Sequence, residues 1–445
     1  MSRSSPFSRP LSRRTLLKRT GQTALTALAF PNLMGCMQTE PTVPLPDRQA
    51  WDDLDETIKG WWDGDVKTAT EADVAADPKG TLLYLPRPYL TPGGSEAAFN
   101  EMYGWDTFFI NLGLLAHGRL DLIENHIVNH LHMIKTYGMV LNGSRTYYLG
   151  RSQPPLLAES VRLFLDAGGN TDVAAQAYGL LEREYEGYWE AEHHTTPVGL
   201  TTNRDLFNEG LRAELAAEAE TGLDFTALYG GDVRRCVPLI TNCALVQYAR
   251  ALADVAEKLG NAAGVQKWQA EAERRAERLR DLCWDDAQEF FFEFDYTSGK
   301  RLPFLSLCAY WTLWAGIATT EQAAALVEKL PMFEQAHGLS VTDTAYPSPH
   351  PEFQNLQWAY PLGWPPLQII VVEGLVRYGY TREAERIARR FVGMMLAQYA
   401  ETGKLWEVYN AITGKTDVPV ERYPPYAMHG WSSAAVVVLG RTVFS

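Results

Sequence analysis

The chain has 445 residues, of which 46% are hydrophobic and 11% aromatic, enough to bury a large core. Its 54 acidic and 40 basic side chains leave a formal charge of −14, which excludes the basic footprint that phosphate-backbone recognition needs. No nucleic-acid partner is expected.

Residues 1–35 carry six basic side chains (Arg3, Arg9, Arg13, Arg14, Lys18 and Arg19) and no acidic one. The run Ser12 to Lys18, SRRTLLK, precedes the mildly apolar GQTALTALAF and resembles a bacterial twin-arginine export signal. The apolar stretch is too short to remain as a bilayer-spanning helix. Leu33-Met34-Gly35-Cys36 resembles a lipoprotein processing site, which implies cleavage before Cys36 and lipidation of its thiol. The plain alternative is a secretory signal that happens to hold a cysteine. Without residues 1–35 the chain keeps 34 basic and 54 acidic side chains, a charge of −20, so the basic arm reads as an address. The expected location is the periplasm or cell surface, with the membrane engaged only through the lipid at Cys36.

Residues 36–50 read as a Pro- and Thr-rich tether and 51–445 as one domain, with no composition shift to divide it. Helical periodicity dominates from about Trp51. In 382–399, Ala384, Ile387, Ala388, Phe391, Met395 and Tyr399 form an apolar stripe at three- and four-residue steps. Similar patterns run through 120–137, 153–167, 171–192, 235–259, 262–283, 320–330 and 364–378. Gly138 and Gly260 close two of them, and Thr319 with Gln322 forms a capping box before another. Residues 289–296, EFFFEFDY, read as a short hairpin or loop. Eleven or twelve helices with loops of uneven length fit paired helices in a ring. The long irregular stretches 79–104, 138–153, 195–234, 337–363 and 403–430 should gather at one end of it and build a pocket.

Cys236, Cys243, Cys283 and Cys308 include no CxxC pair; Cys236 and Cys243, seven apart, read as small core residues on one helix face. His126 and His130 have a spacing that can bind metal, but lie in a surface-like stretch with no third ligand nearby and read as structural. No GxSxG, Walker or GxGxxG motif has a supporting context, so neither a metal nor an organic cofactor is expected.

Two carboxylates stand out by their neighbours. Asp224 lies between Leu223 and Phe225, where desolvation could keep a carboxyl protonated, and Glu407 lies between Trp406 and Val408. Glycoside hydrolysis needs such a pair, one to protonate the leaving oxygen and one to activate water or attack carbon.

The segment 92–115, PGGSEAAFNEMYGWDTFFINLGLL, and NGSRTYYLGRSQPP at 142–155 resemble the trehalases, glycoside hydrolase family 37. QWAYPLGWPPLQ at 357–368 resembles the second signature of that family, and AETGLDFT and KLWEVYN resemble its catalytic segments. The resemblance runs in order from about Pro86 to Trp431. It implies an all-α (α/α)6 barrel and an inverting α-glycosidase acting on a small sugar, α,α-trehalose first. By position, Asp224 would be the general acid and Glu407 the general base, their carboxyls roughly 6.5–9.5 Å apart to leave room for a water. Trp105, Asp106, Asn142, Arg151, Ser152, Gln153 and Gly222 would bind sugar. Arg212 and Glu214 match a further binding pair if one residue nearby is deleted.

The sequence also departs from the family. The arginine expected after PGG is absent, with Ser95 and Ala98 in that loop; Ala359 and Leu362 replace an Asp and an Asn. Thr226-Ala227-Leu228-Tyr229 lacks an arginine, and Glu421 stands alone in a changed segment. WEVYNAITGK also resembles family 63 enzymes of related fold. Two alternatives therefore stand: cleavage of another small α-glucoside or α-mannoside, such as glucosyl- or mannosylglycerate, and a sugar-binding lipoprotein without catalysis. The oligomeric state is left open.

Overall fold

The computed structural model of the protein describes residues 45–93, 99–207, 210–418 and 424–444. The export signal, Cys36, Ser95, Ala98 and Glu421 lie outside the described residues.

Helices carry most of the described chain. They are α1 (Arg48–Gly64), α2 (Glu71–Ala76), α3 (Gly104–His117), α4 (Leu120–Tyr137), α5 (Leu157–Asp166), α6 (Thr171–Glu184) and α7 (Ala213–Glu220). There follow α8 (Leu239–Lys258), α9 (Ala262–Cys283), α10 (Trp311–Trp314), α11 (Thr320–Lys329), α12 (Pro365–Arg377), α13 (Thr381–Thr402) and α14 (Gly430–Phe444). Six of them close a ring: α3 packs on α5, α5 on α8, α8 on α10, α10 on α12, α12 on α14, and α14 back on α3. The other long helices back this ring; α4 lies against α3 and α5, α6 against α5 and α8, α9 against α8, α13 against α12 and α14, and α1 against α14. The Tyr310 hydroxyl, just before α10, ties α11 on by donating to Leu326 O at 2.8 Å. This alternation of inner and outer helices is the (α/α)6 barrel.

Composition explains which helix goes where. Inner helices are buried nearly all round, as in α8, where Leu239–Ala249 is buried without a break. Outer helices keep a polar face: α13 buries Ala384, Ile387, Ala388, Phe391 and Met395 and turns Arg382 and Glu383 outward. A glycine stops α4, because Gly138 (φ 90°) adopts the left-handed cap that a Cβ would resist. The capping box at Thr319 and Gln322 forms as expected.

Several boundaries differ from the periodicity, each for a local reason. The domain's first helix opens at Arg48 rather than 51, because the Asp47 side chain accepts from Ala50 N. α5 opens only at Leu157, since Pro154 and Pro155 hold the preceding backbone out of the helix. α8 opens after Pro238, leaving Cys236-Val237 as a short strand paired with Phe294-Asp295. Cys236 and Cys243 thus do not share a helix face, although all four described cysteines are buried free thiols. The 289–296 run forms two short strands, Phe290–Phe291 and Phe294–Asp295.

His126 and His130 are fully buried, not on a surface-like face. His126 accepts from Leu90 N at 3.0 Å and pairs with the Asn111 amide, and burial pushes both imidazoles down to about 3. Among the described residues no group of three His, Cys, Asp or Glu side chains is placed to hold a metal ion.

Candidate active site

Each long irregular stretch runs from an outer helix to the next inner one: 65–103 into α3, 138–156 into α5, 190–238 into α8, 330–364 into α12 and 403–429 into α14. Inner-to-outer connections are short, such as 118–119 between α3 and α4 and 259–261 between α8 and α9. The long loops therefore share the end where inner helices begin. A cavity of about 130 Å³ lies there.

Four tryptophans frame it. Trp358 and Trp364 stack at 3.9 Å, and Trp105 meets Trp431 edge-on at 5.9 Å. Two of the indole N–H groups are directed at the segments that carry the carboxylates: Trp358 donates to Asp224 Oδ1 at 3.2 Å, and Trp431 to the Glu407 carbonyl at 3.1 Å. Apolar rings thereby dry the pocket while their polar edges hold its acids.

Asp224, half-buried, and Glu407, 2% exposed, both line this cavity. The Glu407 backbone N–H donates to Tyr426 O at 3.0 Å, and its side-chain Oε1 accepts from Tyr426 N at 3.3 Å. Burial, with the charges of Asp224 and Asp106 added, pushes Glu407 up to about 8. Asp106, in the first turn of α3, is raised by burial to about 7.

Asp224 owes its direction to a strained neighbour. Phe225 has φ 62°, a left-handed conformation that non-glycine residues rarely adopt. Its carbonyl accepts from Gln357 N at 2.8 Å, and the buried Glu218 carboxyl accepts from the next amide, Thr226 N, at 3.1 Å. Gly222 (φ 80°) makes the preceding turn, where a Cβ would lie 3.0 Å from the Trp105 ring.

Most of the expected sugar-binding set comes together here. Trp105, Asp106, Asn142, Arg151, Gln153 and Gly222 line the cavity. Arg151 donates to Asn142 Oδ1 at 2.9 Å and Asp205 Oδ2 at 2.8 Å and lies over the Tyr148 ring. Gln153 Oε1 accepts from Trp105 N at 3.0 Å, which ties α3's first turn to the Arg-Ser-Gln segment. Ser152 faces a smaller internal cavity instead, its hydroxyl donating to Val140 O at 2.6 Å. Arg212 and Glu214 are not among the lining residues; Arg212 pairs with Glu214 at 3.2 Å and with Glu352 at 2.7 Å.

The residue-level reading missed Phe99, Tyr103, Tyr148, Ala219, Gln357, Trp358, Trp364, Met428 and Trp431. For Gln357, Trp358 and Trp364 the signal was the quoted 357–368 segment itself. Phe99, Tyr103, Tyr148 and Ala219 likewise lie within the 92–115, 142–155 and AETGLDFT segments, whereas Met428 and Trp431 are common core types with no local mark of exposure to a ligand.

A model of the trehalase family matches residues 41–221 and 216–442. The chain belongs to the trehalase family. A probable trehalase of Eremothecium gossypii is 30% identical over 74% of the chain and 52% of its own length. A cytosolic neutral trehalase of Saccharomyces cerevisiae is 30% identical over 77% of the chain and 54% of its own length. The chain thus spans about half the length of the first of these curated family members. The periplasmic trehalase of Pseudomonas aeruginosa is matched more fully, at 30% identity over 81% of the chain and 72% of that protein. Among solved structures, the neutral trehalase of Saccharomyces cerevisiae superposes with a TM-score of 0.69 at 28% identity, covering 80% of this chain and 73% of that one. A family 63 mannosylglycerate hydrolase of Thermus thermophilus shares the fold, with a TM-score of 0.62 at 16% identity over 87% and 100% of the two chains.

Proposed function

We propose that the protein hydrolyses α,α-trehalose to two glucose molecules with inversion. The observation that carries this is the convergence of Asp224 and Glu407, from segments 183 positions apart, on one tryptophan-walled pocket of a trehalase-family barrel. Asp224 donates its proton to the leaving glycosidic oxygen, while Glu407 takes a proton from the water that attacks the anomeric carbon. Trp105 offers a stacking face, and Asp106, Asn142, Arg151 and Gln153 offer hydroxyl partners. Proton NMR of the purified protein with trehalose tests the proposal: β-glucose must appear first alongside the α-anomer, and no cleavage would end it.

A second reading, another small α-glucoside or α-mannoside, is favoured by one observation. Ala359 and Leu362 are buried apolar side chains where the family resemblance places an Asp and an Asn. A panel containing glucosylglycerate, mannosylglycerate and maltose separates the two by relative kcat/KM. For location, we propose export and lipidation at Cys36, supported by the paired arginines and the Leu-Met-Gly-Cys run. Metabolic labelling with a radioactive fatty acid should mark the protein and fail to mark Cys36→Ser.

A further inference from the structure

Glu220 is the last residue of α7, fully buried, and lines neither cavity. Its carboxylate nevertheless receives more hydrogen bonds than a structural cap needs. Oε1 accepts from the Tyr188 hydroxyl and from Ser152 N at 3.1 Å. Oε2 accepts from Asn203 Nδ2 at 3.0 Å and Arg204 N at 2.9 Å, and faces His194 Nε2 at 2.8 Å. His194 Nδ1 faces the Tyr188 carbonyl at 3.1 Å, and a carbonyl can only accept, so that nitrogen carries a proton. Four other donors are aimed at the same carboxylate, so with the second ring nitrogen of His194 it has five polar partners. Burial alone would raise Glu220, yet His194 and the surrounding donors hold it below the ordinary glutamate value.

The donors belong to separate pieces of the active site. Ser152 N sits between Arg151 and Gln153, both in the sugar pocket. Asn203 and Arg204 precede Asp205, the partner of Arg151 at 2.8 Å. Glu220 itself lies two residues before Gly222 and four before Asp224. One carboxylate therefore joins the loop bearing Arg151 and Gln153, the loop bearing Asp205, and the turn bearing Asp224.

We propose that Glu220, through these five partners, is a positioning residue that sets Arg151 and Gln153 against Asp224. It touches no substrate and acts through those side chains. This proposal rests on the hydrolase reading above for its kinetic readout but not for its structural content.

The test is a double-mutant cycle in the full chain, combining Glu220→Gln with Arg151→Lys. Glu220→Gln alone should lower kcat/KM for trehalose about 100-fold, the loss expected when a binding group is misplaced by about 1 Å. In the Arg151→Lys background the same change should cost less than about fivefold, because the side chain it positions is already altered. Equal losses in both backgrounds would overturn the proposal and leave Glu220 a fold-stabilising residue. Should circular dichroism show Glu220→Gln unfolded, Tyr188→Phe replaces it in the cycle, with the same non-additivity expected. Wild type is assayed first; if it cleaves no trehalose, the functional reading falls, and the cycle is read as sugar affinity by calorimetry, where additive losses would again overturn the positioning role.

Discussion

The indole N–H of Trp358 meets the Asp224 carboxylate at 3.2 Å, so the 357–368 segment reaches the active site by gripping the acid as well as by lining the wall. Trp358→Phe keeps a ring to stack on Trp364 and removes only the donor. Asp224 gains its charge only as it gives up its proton, so this bond tightens in the transition state; a hydrogen bond to a charged group is worth about 1.5–3 kcal/mol, and kcat on trehalose should fall roughly 10- to 100-fold with KM little changed. Steady-state kinetics on the variant check this.

Role separation between the two carboxylates gives a sharper outcome. Asp224→Asn should lower trehalose turnover by about 10²- to 10⁴-fold while sparing a glucosyl fluoride, which needs no protonation to leave. Glu407→Gln should depress both substrates, with azide restoring some turnover. Glu407 raised to about 8 by burial adds a pH signature. As a base it must be ionised, so kcat/KM should climb with pH toward about 8 and the limb should vanish in Glu407→Gln. If Glu407→Gln instead spares the fluoride and Asp224→Asn does not, the two residues exchange roles, as the burial of Glu407 would favour.

Stability should fall as pH rises through the neutral range. Burial raises Asp106 and Glu184 to about 7, and Glu218, Glu293 and Glu407 to about 8. Their folded values exceed the unfolded ones, so their contribution is complete below about 4 and is lost as pH passes through 7 to 8. His126 and His130, lowered to about 3, act in the opposite sense, but only below their unfolded value of 6.5. The interval from about 6.5 to 8.5 isolates the carboxyls. Calorimetry should show Tm at least about 5 °C lower at the upper end. Glu293→Gln, at a residue that does not line the pocket, should reduce that slope without abolishing activity.

Gly222→Ala should destabilise the protein by about 1–3 kcal/mol, through a left-handed backbone that disfavours a Cβ and a ring met at 3.0 Å. Because the turn leads directly to Asp224, sugar turnover should fall more than Tm predicts. Denaturant unfolding and kinetics on one preparation compare the two losses.

The helical class, the outer helices α4, α6, α9, α11 and α13, the inner helices α5, α8 and α12, the stretches that form the pocket and the order of the family's segments were legible from sequence. Amphipathic period and irregular composition are local properties: α13 and α9 each advertise one buried face. Inner helices α3 and α14 do not. They are apolar on every side because neighbours surround them, so no 3.6-residue period marks them. A ring with its loops at one end was expected from helix number and loop length; only tertiary structure showed which helices line it and which side chains those loops bring together. It alone showed that His126 and His130 are core residues, that Arg212 is tied to Glu214 and Glu352 outside the lining, and that Glu220 binds three segments at once. The physical reason is separation: a hydrogen bond between Ser152 and Glu220 spans 68 residues, and nothing in either one's neighbours records the other.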